Sequence, residues 1–262
     1  MLTRSEMKRT KPQMKRREFI INSAAMGMVV AISDVPIDQG QQRRSAERSA
    51  LASTSLNANK LTPPNQGRIP VAFAISEGVT VIDFCGPWEV FQDVTIPERG
   101  KDLEQEPFEL FTVSEKTETI KGSAGLKIVP DYTFENAPTP KVVVVPAQTG
   151  STALHEWLRK VTEKTDVTMS VCTGAFQLGR AGLLTGKSAT THHEHFDRFA
   201  KEFPNVDLKR GVRFVEGERI STAGGLTSGI DLALRVVDRY FGRKVAETTA
   251  AYMEYQSKGW VI

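Results

Sequence analysis

From Ile69 onward, apolar runs of strand length alternate with segments of helical period. Ile69–Ile75 reads as a buried strand. Phe84–Val94 reads as a helix with Pro87 in its first turn, where a missing N–H costs nothing. Phe108–Ser114 is a second strand, and Thr119–Lys121 with Leu126–Val129 predicts a hairpin through Gly122 and Gly125. Val142–Val145 is four valines in a row, too β-branched and too short for a helix. Ser151–Lys164 follows as a helix with Ser151 or Thr152 as N-cap. Val167–Val171 is a strand, Gly174–Ala181 a short helix, Ala189–Thr191 a short strand and His193–Phe203 a helix stopped by Pro204. Val212–Glu216 and Arg219–Thr222 pair around Gly217, and the helices Leu226–Phe241 and Lys244–Tyr255 close the chain. Strands alternating with helices predict an α/β protein whose mostly parallel sheet is covered on both faces.

The first 66 residues lack this periodicity. Lys15-Arg16-Arg17-Glu18-Phe19 precedes an uncharged run of 14 residues, Ile20 to Ser33. That run is too short to cross a hydrocarbon core of ~30 Å as a helix. A basic stretch before a short apolar one reads as an export signal over 1–33, and Arg-Arg followed by Phe resembles a twin-arginine signal. Export to the periplasm is the expected location, with the cytoplasm as the alternative if the leader is not functional. A disordered basic tail or an amphipathic surface helix fits the same residues, and Met14 is an alternative start. Residues 34–67 are rich in Gln, Ser, Arg, Asn and Pro, and read as a flexible linker. The body is therefore 68–262, and residues 1–66 are expected to be dispensable for folding.

The chain has 262 residues, 40% of them hydrophobic and 25% charged, which suits a globular protein. Its net charge of +3 is unevenly spread: residues 1–66 hold 11 Lys/Arg against 5 Asp/Glu, and the rest holds 23 against 26. The positive excess belongs to the leader, so nucleic-acid binding is not expected. Two cysteines, Cys85 and Cys172, cannot build a four-cysteine zinc site. His193 and His195 fall on one helical turn without an Asp or Cys partner, a weak metal pattern.

The chemistry concentrates at Val167–Phe176, where a buried strand runs through Cys172-Thr173-Gly174 into a helix. This is the setting of a nucleophile elbow, with Cys where hydrolases place Ser. It lifts the sulfur above the C-terminal edge of the sheet and sets it at a helix N-terminus, which favours thiolate. Backbone N–H groups of Thr173 and Gly174 are candidates to stabilise developing negative charge. The plainer reading is a buried structural cysteine. Asp83 lies in an apolar setting just after the first strand; it reads either as a helix N-cap or as a carboxyl of raised pKa that exchanges a proton with the thiol. His192 lies twenty residues after Cys172, at the end of a short strand.

The segments SVCTGAFQLGRAGLLTGKSATTHHEH, ISTAGGLTSGIDLALRVVDRYFG and GVTVIDFCGPWEVF resemble the ThiJ/PfpI superfamily. The resemblance covers about Pro70 to Tyr255. It implies a flavodoxin-like, doubly wound fold of the class I glutamine amidotransferase-like group, and a homodimer. The DFxGP and CTG forms look most like the isonitrile hydratase-like branch and the ligand domains of AraC-type regulators. The hydratases use the elbow cysteine, a carboxylate in DFxGP and the threonine after the cysteine, which here are Cys172, Asp83 and Thr173. His192 falls where some members carry a histidine near the cysteine. Thr173 replaces the histidine of protease-like members, which argues against proteolysis. Pro146-Ala147-Gln148-Thr149-Gly150 stands where relatives have Pro-Gly-Gly, so an oxyanion-stabilising N–H from Ala147 or Gln148 brings side chains into the pocket. Cys85 replaces a small residue.

The implied activity is a cysteine-dependent hydratase or lyase of a small electrophilic substrate, with no metal or organic cofactor and no nucleic-acid partner. The nearest named reaction is hydration of an isonitrile to an N-substituted formamide. The alternatives are a non-catalytic ligand-binding domain and an oxidative- or aldehyde-stress protein whose cysteine senses oxidation.

Overall fold

A computed structural model describes residues 59–100 and 105–262. The expected export signal, and the expected linker up to residue 58, lie outside the described residues. Seven strands form one sheet in the order β10-β11-β7-β6-β1-β2-β5. They are β1 (Ile69–Ala74), β2 (Phe108–Ser114), β5 (Tyr132–Thr133), β6 (Val142–Val145), β7 (Val167–Ser170), β10 (Phe214–Val215) and β11 (Ile220–Ala223). Every pairing is parallel except the edge pair β10–β11. The expected hairpin is present as β3 (Ile120–Lys121) against β4 (Lys127–Ile128), and a second small pair joins β8 (Ser188–Ala189) to β9 (Asp207–Leu208).

The helices are α1 (Val81–Gln92), α2 (Thr152–Thr162), α3 (Gly174–Arg180), α4 (Phe196–Glu202), α5 (Ser228–Phe241) and α6 (Arg243–Tyr252). The period of two along the central strands sorts them between two faces. Val71 and Phe73 of β1, with Val142 and Val144 of β6, pack in one core with residues of α1, α5 and α6. Ala72 and Ala74, with Val143 and Val145, pack in the other with residues of α2 and α3 and Phe199 of α4. A sheet with both faces buried explains why its strands read as unbroken apolar runs. The fold is flavodoxin-like α/β, as expected.

Three local differences follow from turn and cap chemistry. Helix α1 begins at Val81, three residues before the expected Phe84, so Pro87 lies in its interior. The Asp83 carbonyl accordingly lacks the N–H it would receive there. Asp83 is the third helical residue and Thr80 occupies the N-cap position, so the reading of Asp83 as a cap is corrected. Ser151 does cap α2, accepting the Leu154 N–H at 3.1 Å. The expected helix from His193 opens as a 3-10 turn, His193–His195, before α4 begins.

The body reaches further back than residue 68. Arg239, buried in the last turn of α5, donates from Nε to the Asn59 carbonyl at 2.7 Å, and its own carbonyl receives the Leu61 N–H at 2.9 Å. Asn59 Nδ2 also donates to Glu216 at 2.7 Å, and Leu61 packs against the core. The stretch from Asn59 is therefore held by a buried guanidinium, which argues against residues 59–66 being dispensable for folding. A chain starting at Asn59 should melt like the full chain. One starting at Arg68 strips Arg239 of an acceptor and should melt roughly 3–10 °C lower, the effect of one lost hydrogen bond to a buried charge. Differential scanning calorimetry of the two checks this, and equal melting would show that the segment only rests on the surface.

Candidate active site

Four loops at the C-terminal ends of parallel strands meet at Cys172. They follow β1, β6, β7 and β11, the edge at which open α/β sheets bind ligands. Cys172 adopts a left-handed backbone with φ of 58°, a conformation that costs a non-glycine residue about 1–2 kcal/mol. Its surroundings fix it there. Its N–H donates to the Gly224 carbonyl at 2.7 Å, and its carbonyl accepts from Thr191 Oγ1 at 2.9 Å. The Gly174 N–H closes the turn onto the Val171 carbonyl at 2.9 Å. A Cβ on Gly174 would lie 2.0 Å from the Val145 carbonyl oxygen, so only glycine lets α3 start so close to β6.

Asp83 is fully buried beside this thiol. Its Oδ2 accepts the Ala147 N–H at 3.1 Å, and the Ala147 carbonyl in turn accepts the Thr80 N–H at 2.9 Å. One residue of the β6 loop thus ties down the first turn of α1. Asp83 Oδ1 has no hydrogen-bond partner. Burial raises the carboxyl to about 6, against the lowering effect of the Ala147 N–H, the Cys172 thiol and the Leu226 N–H.

The thiol moves the opposite way from the sequence expectation. Burial, and then the neighbouring Asp83 charge, push Cys172 up to about 12, although the Thr173 and Leu226 N–H groups favour its anion. A helix N-terminus contributes about 0.3–1 kcal/mol, less than one pKa unit. Helix α3 has seven residues and does not outweigh desolvation beside a carboxylate. The resting pair therefore holds one proton on sulfur and, near neutral pH, one negative charge on Asp83. In such a pair the carboxylate can take the thiol proton as the sulfur attacks.

The other expected site residues divide. Thr173 follows the thiol and leaves its hydroxyl out of any cap bond, and its N–H faces the sulfur. The N–H groups of Gly174 and Ala147 are occupied by Val171 and Asp83, so neither is the free oxyanion donor expected of it. Gln148 Nε2 spends both hydrogens on the carbonyls of Ala74 and Pro146, at 2.7 and 3.3 Å, so this amide braces the β6 loop. His192 lies against Gly225, where a Cβ would come within 2.3 Å of its ring, and its Nδ1 accepts the Glu194 N–H at 3.3 Å. Burial lowers its pKa, and the adjacent His193 adds to this. Cys85 is half-buried and, like Cys172, a free thiol. Burial and Glu89 raise its pKa. Among the described residues, no group of three His, Cys, Asp or Glu side chains is placed to hold a metal ion.

Leu226 was not among the expected residues. Its backbone is left-handed, with φ of 51°, and its N–H lowers the pKa of both members of the thiol–carboxyl pair. The signal for it was the Gly224-Gly225 pair after β11, a turn sequence that propensity marks but does not aim.

Residues 70–239 match the DJ-1/PfpI family. The chain belongs to that family. It is 31% identical to the isonitrile hydratase of Pseudomonas putida, over 71% of this chain and 78% of that enzyme. It is 26% identical to the HTH-type transcriptional regulator GbdR of Pseudomonas aeruginosa, over 74% of this chain but 53% of the regulator. Among solved structures, a ThiJ/PfpI family protein from Pseudomonas syringae superposes with a TM-score of 0.64 at 26% identity, covering 74% of this chain and 78% of that one.

The buried carboxyl makes two outcomes expected of Asp83→Asn. Removing the charge beside the sulfur lowers the thiol pKa, so the rise of Cys172 alkylation by iodoacetamide with pH should shift to lower pH than in the parent while the Cys85 profile is unchanged; peptide mass spectrometry reads both. The second outcome concerns stability. A carboxyl raised on folding stabilises the native state below its unfolded pKa, and that contribution is lost as pH rises toward about 6. The asparagine variant escapes the loss, so in urea unfolding it should match the parent near pH 4 and exceed it near pH 7 by on the order of 2–3 kcal/mol. A variant no more stable at neutral pH would show that Asp83 is not strained by burial.

Proposed function

We propose that this protein is a cysteine-dependent hydratase of a small electrophilic carbon, with an isonitrile as the nearest substrate class. The observation that carries the reading is the pairing of a strained, buried Cys172 with a buried Asp83 raised to about 6. Its likeness to the Pseudomonas putida isonitrile hydratase, over most of both chains, supports the choice of reaction.

The pair suits the chemistry. The Cys172 sulfur attacks the terminal carbon of R–N≡C as the thiol proton passes to Asp83. Asp83 delivers that proton to the same carbon, giving a thioimidate, R–N=CH–S–Cys172. Asp83, again a carboxylate, takes a proton from water as the water oxygen adds to the carbon, and that proton goes to nitrogen. Collapse forms the formamide R–NH–CHO and expels sulfur, which recovers its proton. A carboxyl near 6 is poised for this exchange, because general acid–base catalysis is most effective with a pKa near the working pH. The N–H groups of Thr173 and Leu226, and the Thr173 hydroxyl, orient the reacting atoms. Each step uses only the chain's own groups, water and substrate.

A second reading, a ligand-binding domain without turnover, draws on the likeness to GbdR, of whose length the chain spans about half. Incubation with an alkyl isonitrile, with formamide quantified by mass spectrometry, separates the two. The hydratase reading expects turnover that Cys172→Ala abolishes and Asp83→Asn cuts by about 10²–10⁴-fold. Saturable binding without formamide would favour the ligand-binding role. Turnover of methylglyoxal alone would favour aldehyde detoxification.

A further inference from the structure

The loop that faces the thiol is tied at both ends to Arg213, by its backbone at one end and by its guanidinium at the other. At the near end its carbonyl accepts the Gly224 N–H at 2.9 Å. At the far end its Nη1 and Nη2 donate to Thr227 Oγ1 at 3.4 and 3.3 Å. Every contact of this loop with the site lies between those anchors. Gly224 accepts the Cys172 N–H, Gly225 carries the His192 ring, and the Leu226 N–H lies beside Cys172 and Asp83.

The guanidinium is itself held in place. Asp231, fully buried in the first turn of α5, accepts from Arg213 Nε and pairs with Nη2. Ser257 Oγ donates to the other Asp231 oxygen at 3.0 Å. The Tyr255 hydroxyl accepts from Arg213 Nη2 and donates to the Thr227 carbonyl, both at 3.3 Å. Neutralising Asp231 would explain the ion pair alone. It does not explain two further bonds to Thr227, an exposed residue. Reaching Asp231, Thr227 and Tyr255 together needs the planar fork of an arginine, which a lysine ammonium does not provide. The loop also needs anchoring, because a left-handed leucine costs about 1–2 kcal/mol and relaxes unless its neighbours fix it.

We infer that Arg213 is a positioning residue for the thiol: its guanidinium anchors the Thr227 end of the loop, whose Gly224 end is tied to the sheet by backbone, so that the Gly224 carbonyl stays on the Cys172 N–H and the Leu226 N–H stays beside the Cys172–Asp83 pair. The inference rests on the proposed function only in treating that pair as the reacting centre. It makes the C-terminal segment Tyr255–Ser257 part of the support of the site.

Two substitutions test it without stranding the buried Asp231. Thr227→Val removes the exposed acceptor, and Arg213→Lys keeps the charge but loses the fork. Thr227→Ser keeps the hydroxyl and should behave as the parent. The readout is the rate of Cys172 alkylation by iodoacetamide at one fixed pH, followed by peptide mass spectrometry beside a melting curve. Both disruptive variants should react about fivefold more slowly, as expected when one hydrogen bond to the sulfur is lost. Thr227→Val should melt as the parent does, since surface substitutions have small effects. With an isonitrile, kcat should fall and KM hold. A parent-like or faster alkylation rate in Thr227→Val overturns the proposal, and so does a slow rate in Thr227→Ser. Slowed alkylation in a protein that turns over no isonitrile would leave the clamp standing and remove the hydratase reading.

Discussion

The site depends on a backbone that no cysteine adopts on its own. The left-handed turn at Cys172 is unfavourable locally, and three other parts of the chain hold it: Gly224 takes its N–H, Thr191 donates to its carbonyl, and Gly174 lets α3 approach the Val145 carbonyl. Each tie is a hydrogen bond or close contact of the kind that normally completes a fold. Here they keep the proposed nucleophile at the sheet edge in an orientation that extended or helical backbone would not supply.

Burial then sets the chemistry. Asp83 and Cys172 are each disfavoured as anions by burial, and the Asp83 charge further disfavours the thiolate, while the protonated thiol favours the carboxylate. The Ala147 N–H is the first counterweight on the carboxyl, and the Thr173 and Leu226 N–H groups favour the thiolate without overcoming its burial. The result is a protonated thiol beside a carboxylate of raised pKa, in place of a preformed thiolate. Such a pair stays unreactive until a substrate draws the proton across. It also costs the native state stability at neutral pH, an expense common where a site is built for chemistry.

Arginines recur where distant segments must be joined. Arg239 fixes Asn59 to α5, Arg219 gathers the carbonyls of Thr162, Glu163 and Thr165 at the end of α2, and Arg213 anchors the loop beside the thiol. A guanidinium offers five donors in one plane, so one side chain can satisfy several carbonyls whose own elements have ended. This is how loops with little apolar surface keep a fixed geometry.

The sequence by itself determined the layered architecture. Unbroken apolar runs such as Val142–Val145 can only be strands covered on both faces, and the strand–Cys-Thr-Gly–helix order identifies the elbow because the small residues it needs are adjacent in the chain. It also brought out Asp83, Thr173 and the serine cap of α2. Strands β5 (Tyr132–Thr133) and β9 (Asp207–Leu208) were not legible, because neither two-residue strand sits in an apolar run of strand length or beside a hairpin turn. The start of α1 was not legible either: Pro87 suggested a first turn, and the packing of α1 on the sheet placed it in the interior. Everything that sets reactivity was decided by tertiary structure. The direction of the thiol's pKa, the occupation of the Ala147 and Gly174 N–H groups, and the grip of Arg213 on Thr227 depend on residues tens of positions apart. Local sequence fixes which groups a segment carries; only the folded arrangement fixes which are desolvated and which are already bonded.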